Sequence, residues 1–308
     1  MKILITGSSG QIGTNLSLAA MKRGDSVMGI DCRDNAWTDK IETIKMDLRS
    51  ATFEQFPDGK QFDVVVHFAA NAKVFELVEH PDRAMDNIKT LFNSLDFARR
   101  NNLPFIFSSS REVYGDIHQH VTDEAAADFV VAESPYSASK IAGEAMVYSY
   151  EQCYDLPFLV FRFSNVYGRY DNDLSRMERV IPLFIDRIRR DVPIVVFGKE
   201  KVLDFTYVDD CINGIMSGID ALVSGKVKCE TINLAYGHGS TLVDMVNIVS
   251  LALGKKPSVT YEPSRVGEVT RYVADISKAR ALLDYAPQVP LSEGLIKTVE
   301  WNRAYHQW

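Results

Sequence analysis

The chain has 308 residues, is 46% hydrophobic and carries a net charge of −7. That length can bury a substantial core, as one large α/β unit or two closely joined lobes. The acidic balance without a basic block argues against nucleic acid as a main partner.

The first predicted element is a short apolar strand, Lys2–Thr6, too brief for a helix and suited to a buried parallel sheet. It runs into Gly7-Ser8-Ser9-Gly10-Gln11-Ile12-Gly13 and then a helical pattern with Ile12, Leu16, Ala19 and Ala20 on one side. Strand, glycine-rich turn and helix together predict a dinucleotide site, with backbone N–H groups meeting a pyrophosphate at the helix N-terminus. The spacing is G-x-x-G-x-x-G, not the commoner G-x-G-x-x-G, and glycines at such turns can also be purely structural. A second strand, Ser26–Ile30, ends at Asp31. An acid there accepts ribose hydroxyls and repels a 2′-phosphate, which favours NAD over NADP, although Arg33 lies close by.

Residues 62–68 and 104–107 read as central strands, and Asp82–Arg100 and Tyr136–Cys153 as helices. Alternating strands and helices predict a doubly wound parallel sheet, a Rossmann-type α/β fold. Ser108–Ser110 then fall just past a strand's carboxyl end, where ligands bind in such sheets. Beyond Tyr167 the pattern loosens: a polar stretch at 171–178, a helix over Val180–Arg190, a strand over Pro193–Phe197, and prolines at 257, 263, 287 and 290. The expected division is a nucleotide-binding domain at 1–167 and a smaller mixed α/β lobe at 168–308, with 202–213 returning to the first. Four widely spaced cysteines (Cys32, Cys153, Cys211, Cys229) form no C-x-x-C or Cys/His cluster and read as reduced, mostly packed thiols without a metal. No apolar run reaches membrane length, and the first residues enter a strand and leave no room for a signal peptide. A cytoplasmic protein is the expectation.

Tyr136 and Lys140 are four residues apart and share one helix face. An ammonium at ~4 Å from a phenol, at an effective dielectric near ~20, favours the phenolate by about 4 kcal/mol, roughly three pKa units. That would bring the tyrosine down to where it serves as a base near neutrality, with Ser110 hydrogen-bonding the same substrate oxygen. Taken alone, Y-x-x-x-K also occurs by chance.

The glycine turn, Asp31, Asp47-Leu48, His67-Phe68-Ala69-Ala70, the serine run and Tyr136-x-x-x-Lys140 stand in one order. They continue into 162–168 (RFSNVYG), 204–210 (DFTYVDD) and 274–279 (ADISKA). This ordered set resembles the extended short-chain dehydrogenase/reductase family, specifically its NAD-dependent nucleotide-sugar epimerases and dehydratases, over nearly the whole chain. The resemblance implies an NAD site formed by Gly7, Gly10, Gln11, Ile12, Gly13, Asp31, Asp47, Leu48, Phe68, Ala69, Ala70 and Asn87, together with Tyr136 and Lys140. Asp47 and Leu48 would meet the adenine. Asn87 sits near the start of its helix, where an asparagine is otherwise a solvated or capping residue. The resemblance further implies a catalytic group of Ser110, Tyr136 and Lys140, a UDP-sugar substrate contacted by Asn165, and a homodimer pairing the helices that begin near Asp82 and Tyr136.

The shared first step in such enzymes has the tyrosine take the sugar C4 hydroxyl proton while hydride passes from C4 to NAD, giving a 4-keto sugar. An epimerase then returns hydride to the opposite face, a dehydratase eliminates across C5 and C6, and a decarboxylase loses a uronate carboxylate. Family dehydratases carry an acidic pair after the catalytic Ser/Thr; here it is Arg111-Glu112, which disfavours dehydration and leaves decarboxylation open. Arg111, Arg176, Arg179 and Arg271 are candidate substrate-binding cations. Arginine holds a carboxylate bidentately, which favours a hexuronate over a neutral hexose. Asp171, Asp173 and Glu178 could instead pair with the arginines near them. The family's usual arginine before Asp-Phe is Leu203 here, with Lys199, Lys201 or Arg271 as replacements. The leading expectation is a UDP-glucuronate/UDP-galacturonate 4-epimerase. UDP-glucose/UDP-galactose epimerisation is the alternative, ahead of a decarboxylase, a dehydratase or a silent NAD-sensing regulator.

Overall fold

The computed structural model describes residues 1–114, 132–171, 179–265 and 269–307. In chain order the elements are β1 (Lys2–Thr6), α1 (Gln11–Arg23), β2 (Ser26–Asp31), β3 (Thr43–Lys45), β4 (Val64–His67), α2 (Val74–Glu79), α3 (Asp82–Arg100) and β5 (Phe105–Ser110). They continue with α4 (Pro135–Tyr154), β6 (Phe158–Phe163), β7 (Val166–Tyr167), α5 (Val180–Arg189), β8 (Ile194–Phe197), β9 (Val202–Asp204), β10 (Thr206–Tyr207) and α6 (Val208–Val223). The remainder is β11 (Glu230–Leu234), β12 (Gly239–Thr241), α7 (Leu242–Leu253), β13 (Val259–Glu262), β14 (Arg271–Tyr272), α8 (Ser277–Leu283) and α9 (Leu291–His306).

Seven strands form one parallel sheet in the order β11-β6-β5-β4-β1-β2-β3. The central strands are near-continuous apolar runs because both faces are covered. Ile3, Ile5, Val64 and Val66 belong to one core layer, while Leu4 and Val65 belong to the other. On one side α1 packs beside α6, and on the other α3 packs beside α4. The strand order reverses between β1 and β4, and ligands bind at the carboxyl ends of strands around such a switch point. The glycine turn, Phe68–Asn71 and Ser110 all lie at those ends.

Helix α4 starts where its sequence demands. Ser134 and Ser137 form a reciprocal capping box, and Pro135 occupies the first turn. This fixes the position of Tyr136, one residue inside the helix. Residues beyond 167 also build the large sheet's layers, through α6 and β11. Other strands pair in small sheets, β10-β7, β12-β9-β14 and β13-β8.

Two expectations need correction. The serine run does not follow a strand but ends one: Ser108–Ser110 pair in register with Phe161–Phe163 of β6. The cysteines are not mostly packed, since Cys32 and Cys153 are exposed and only Cys211 is fully buried. Cys32 lies in the loop after β2 and Cys153 near the open end of α4, where neither meets a covering layer.

Candidate active site

The cofactor end is shaped by two glycines. Gly7 has φ +72°, and a Cβ there would sit 2.7 Å from Ala69 N and 2.8 Å from the Phe68 carbonyl carbon. A Cβ on Gly13 would fall 2.2 Å from Gly7 O. Both contacts are with backbone, so only glycine lets β1, the Phe68–Ala70 segment and α1 converge. The start of α1 has no side-chain cap and no acid in its first turn, so its N–H groups are left for an anion. Gln11 Nε2 is buried without a partner there. Ile12 packs against the core and anchors the first turn.

Asp31 is buried at the end of β2, its two carboxylate oxygens accepting from Ser9 N and Arg33 N, both at 3.0 Å. The carboxylate is thereby aimed beside the turn. Asp47 is half-exposed and held by Arg49 (2.6 Å), which also reaches Asp86 at 3.3 Å; the Arg49 hydrogen bonds hold its carboxyl below the usual range. The Leu48 side chain is core, and its carbonyl accepts from Asn93 Nδ2 at 2.7 Å. Asn87 is neither solvated nor a cap. It is buried, accepts from Asn71 N (2.6 Å), and donates to Asn71 O and Ser139 Oγ (both 3.1 Å), which ties the post-β4 loop to α4. An uncapped helix start, an unsatisfied amide and an oriented carboxylate fit a dinucleotide.

Ser110, Tyr136 and Lys140 meet, as expected, at the end of β5. The Ser110 hydroxyl lies on the Tyr136 side of the site, where it pulls the phenol pKa down, and it accepts from Glu112 N at 3.2 Å. Lys140 Nζ donates to Ser108 O at 2.7 Å and lies 5.7 Å from the Tyr136 ring centre. The expected fall in the Tyr136 pKa is not found. Burial pushes the phenol up to about 12, against smaller opposing pulls from Ser110, Arg179 and Arg111. Burial also pushes Lys140 down to about 8, against the field of Glu144. Desolvation is the largest influence on both groups, and the amine donates to the Ser108 carbonyl and not to the phenol oxygen.

On the sugar side, Arg111 is buried next to Ser110. Its Nη2 meets Glu112 Oε1 at 2.9 Å and Asn165 Oδ1 at 3.4 Å, while Nη1 has no partner. Asn165 has φ +33° and donates to Asp204 O at 2.8 Å. Arg179 donates from Nη1 to Gln11 Oε1 (2.8 Å) and also meets Asp171 (3.3 Å). It therefore faces the glycine turn as much as a sugar. Arg176 lies outside the described residues.

Leu203 is buried, and the β9–β14 register sets it beside Tyr272 and sets Val202 beside Arg271. Neighbouring strand residues alternate faces, so Arg271 projects from the opposite face to Leu203 and cannot replace an arginine there. Lys199 is exposed and paired with Glu200 at 3.6 Å, and Lys201 is buried.

Sequence reasoning missed three supports. Asp204 accepts from the backbone N–H groups of Tyr236, Gly237 and Ala274, anchoring the small sheet. His67 is buried beneath Lys140, with Nδ1 2.8 Å from Thr6 Oγ1. Glu144 pairs with Arg162; its spacing of four from Lys140 was the available signal.

The profile of the NAD dependent epimerase/dehydratase family matches residues 3–235. The chain belongs to that family. Its cofactor is NAD, in keeping with the turn and Asp31. Among relatives of this epimerase/dehydratase, UDP-glucuronate 4-epimerase 1 of Arabidopsis thaliana is 30% identical over 99% of this chain and 77% of its own length. The UDP-glucose 4-epimerase of Thermotoga maritima, solved with UDP-glucose, superposes with a TM-score of 0.89 at 26% identity, covering 99% of this chain and 100% of that one. The UDP-glucuronic acid 4-epimerase of Bacillus cereus, solved with UDP-glucuronic acid and NAD, gives 0.88 at 27% identity, with 99% and 100% covered. No helix among the described residues is long and apolar enough to cross a membrane.

Proposed function

We propose that this protein is an NAD-dependent UDP-sugar 4-epimerase that inverts C4 through a 4-keto intermediate, with UDP-glucuronate and UDP-galacturonate as its preferred pair. The observation that carries the reading is the convergence of Ser110, Tyr136 and Lys140 at the end of β5, beside the glycine turn. Bound at that turn, NAD supplies a reversible hydride acceptor. Tyr136 exchanges the proton of the C4 oxygen, and Ser110, beside the phenol, holds that oxygen in place. Lys140 fixes the edge of the site through Ser108 O. Asn165 contacts the sugar.

The hexuronate preference is supported by Arg111. A buried guanidinium N–H without a partner, next to Ser110, gains more from a carboxylate, which brings the opposite charge, than from a neutral hydroxymethyl group. Arg111 also stands where dehydratases of the family carry an acid, which argues against elimination.

We further propose a homodimer through α3 and α4. Met85 and Phe92 of α3 and Tyr148 of α4 are 55%, 47% and 40% exposed, an apolar face suited to a second copy.

The test is NMR analysis of products after incubating the protein separately with UDP-glucuronate and UDP-glucose. Galacto-configured product without NADH build-up supports epimerisation. A UDP-pentose would mean decarboxylation, and inversion of UDP-glucose alone would reassign the substrate.

A further inference from the structure

Residues 32–40 follow β2 as a loop with no fully buried residue, and Trp37 is its one large apolar side chain. A segment of this kind opens locally unless something outside holds it, because its hydrogen bonds stand in water. Yet it lies against the glycine turn. Ser9 Oγ donates to Arg33 O at 3.0 Å, and Asn35 Nδ2 donates to Thr14 Oγ1 at 2.9 Å and to Ser8 O at 3.4 Å. Asn35 Oδ1 accepts from Trp37 N and Thr38 N at 2.9 and 3.3 Å, while Arg33 N donates to Asp31. The hold comes from α9. Trp301 and Tyr305 sit one turn apart on that helix and stack with ring centres 4.9 Å apart. The Trp37 ring packs on both, at 5.9 and 5.4 Å, and on Tyr170 at 6.0 Å. The Tyr305 hydroxyl donates to Ala36 O at 3.4 Å.

We propose that Trp301 and Tyr305 are positioning residues for the cofactor: packed on Trp37, they press residues 32–38 against the glycine turn and keep Asp31 aimed at the adenosine ribose of NAD. The inference rests on the reading of the turn and Asp31 as the NAD site.

The rings are not needed to seat α9 itself. Leu291, Leu295 and Val299 already bury one face of that helix, which packs beside α7. Trp301 is half-buried and Tyr305 is exposed, so both lie beyond that face and reach out to the loop. Trp301 also meets Tyr170 at 5.4 Å, edge to face. The segment that carries Tyr170 is tied to α1 as well, since Asn15 Nδ2 donates to Arg169 O at 3.2 Å. One aromatic cluster thus grips the turn from two flanks, through Asn35 of the loop and Asn15 of α1. Removing a ring from α9 leaves the polar bonds in place but takes away the apolar contact that keeps them closed.

The experiment combines backbone hydrogen exchange with calorimetric NAD titration on the whole 308-residue chain, stripped of nucleotide. Trp301→Ala removes the central ring. Tyr305→Ala removes an exposed ring and leaves the buried face of α9 intact, so it keeps the test open if the first variant fails to fold. In both, peptides over 32–40 should exchange at least about fivefold faster without NAD, and the NAD Kd should rise roughly 3- to 10-fold. Exchange in β4 and β5 should stay at the wild-type rate, which a general loosening of the fold would not allow. Trp301→Phe and Tyr305→Phe, which keep a ring, should restore most of both effects. A wild-type Kd in the folded alanine variants overturns the proposal, as does unaltered exchange over 32–40. NAD that leaves residues 7–13 of the wild type unprotected overturns the reading of the turn and the proposal with it, a result distinct from a protected turn with unchanged affinities.

Discussion

Replacing Arg111 with methionine removes a cation placed beside Ser110 in the sugar site while keeping most of its volume. Its unpartnered Nη1 is available for a substrate carboxylate, whereas Nη2 is already committed to Glu112 and Asn165. A hydrogen bond to a charged group is worth about 1.5–3 kcal/mol. Loss of that contact converts to roughly 10- to 150-fold in kcat/KM for UDP-glucuronate. UDP-glucose offers a neutral hydroxymethyl at the same place. That hydroxyl can accept from the guanidinium but brings no opposite charge, so its loss lies at or below the lower end of the same range, roughly tenfold or less. The ratio of the two kcat/KM values should thus shift toward glucose by about tenfold.

Arg111→Met also takes the paired guanidinium away from the buried Glu112 carboxylate. The double variant Arg111→Met/Glu112→Gln separates specificity from destabilisation: it should regain thermal stability and keep the shifted ratio. The assay is initial-rate kinetics with both UDP-sugars, alongside thermal melting of each variant. Equal losses on the two substrates, with the folded double variant unchanged in ratio, would refute a carboxylate role for Arg111.

Tyr136→Phe should retain the fold and NAD binding, read by cofactor titration, while epimerisation falls roughly 10²- to 10⁴-fold for want of the proton-exchanging group. Gly13→Ala should abolish NAD binding in calorimetry, because the new Cβ would lie 2.2 Å from Gly7 O, a backbone atom that cannot move without opening the turn. His67 gives a pH signature. Its folded pKa is depressed to about 3 from 6.5, so the unfolded chain binds the extra proton between those values and stability falls as pH drops through that window. At pH 4 the contribution is about 3 kcal/mol. Urea unfolding of His67→Leu against wild type at pH 7 and pH 4 should show a smaller acid loss in the variant. Phe92→Asp should shift the protein from dimer to monomer in light scattering without changing the NAD affinity per chain; a monomeric wild type refutes the α3–α4 interface.

Much was legible because it is written in short-range pattern. The apolar run of β1 against its glycine turn, Asp31 at the end of β2, and Tyr136 and Lys140 one helical turn apart are local features, so strand, turn and helix rules reach them without tertiary information. The doubly wound order follows from the same alternation. The burial of Tyr136 and Lys140, which pushes the phenol up and the ammonium down, was not legible, since distant segments supply it. The faces of Leu203 and Arg271 needed the β9–β14 register, where a shift of one residue inverts the answer. Asn87, Asp204 and the Glu144–Arg162 pair join residues far apart in sequence, and only packing shows which polar side chains are left to hold the backbone or a charge in place. The sequence by itself determined the sheet, the cofactor turn and the shared helix face of Tyr136 and Lys140, because those depend on local periodicity and backbone sterics. Tertiary structure alone decided which charges are balanced and which N–H of Arg111 remains open, because desolvation and pairing depend on what each group meets across the fold.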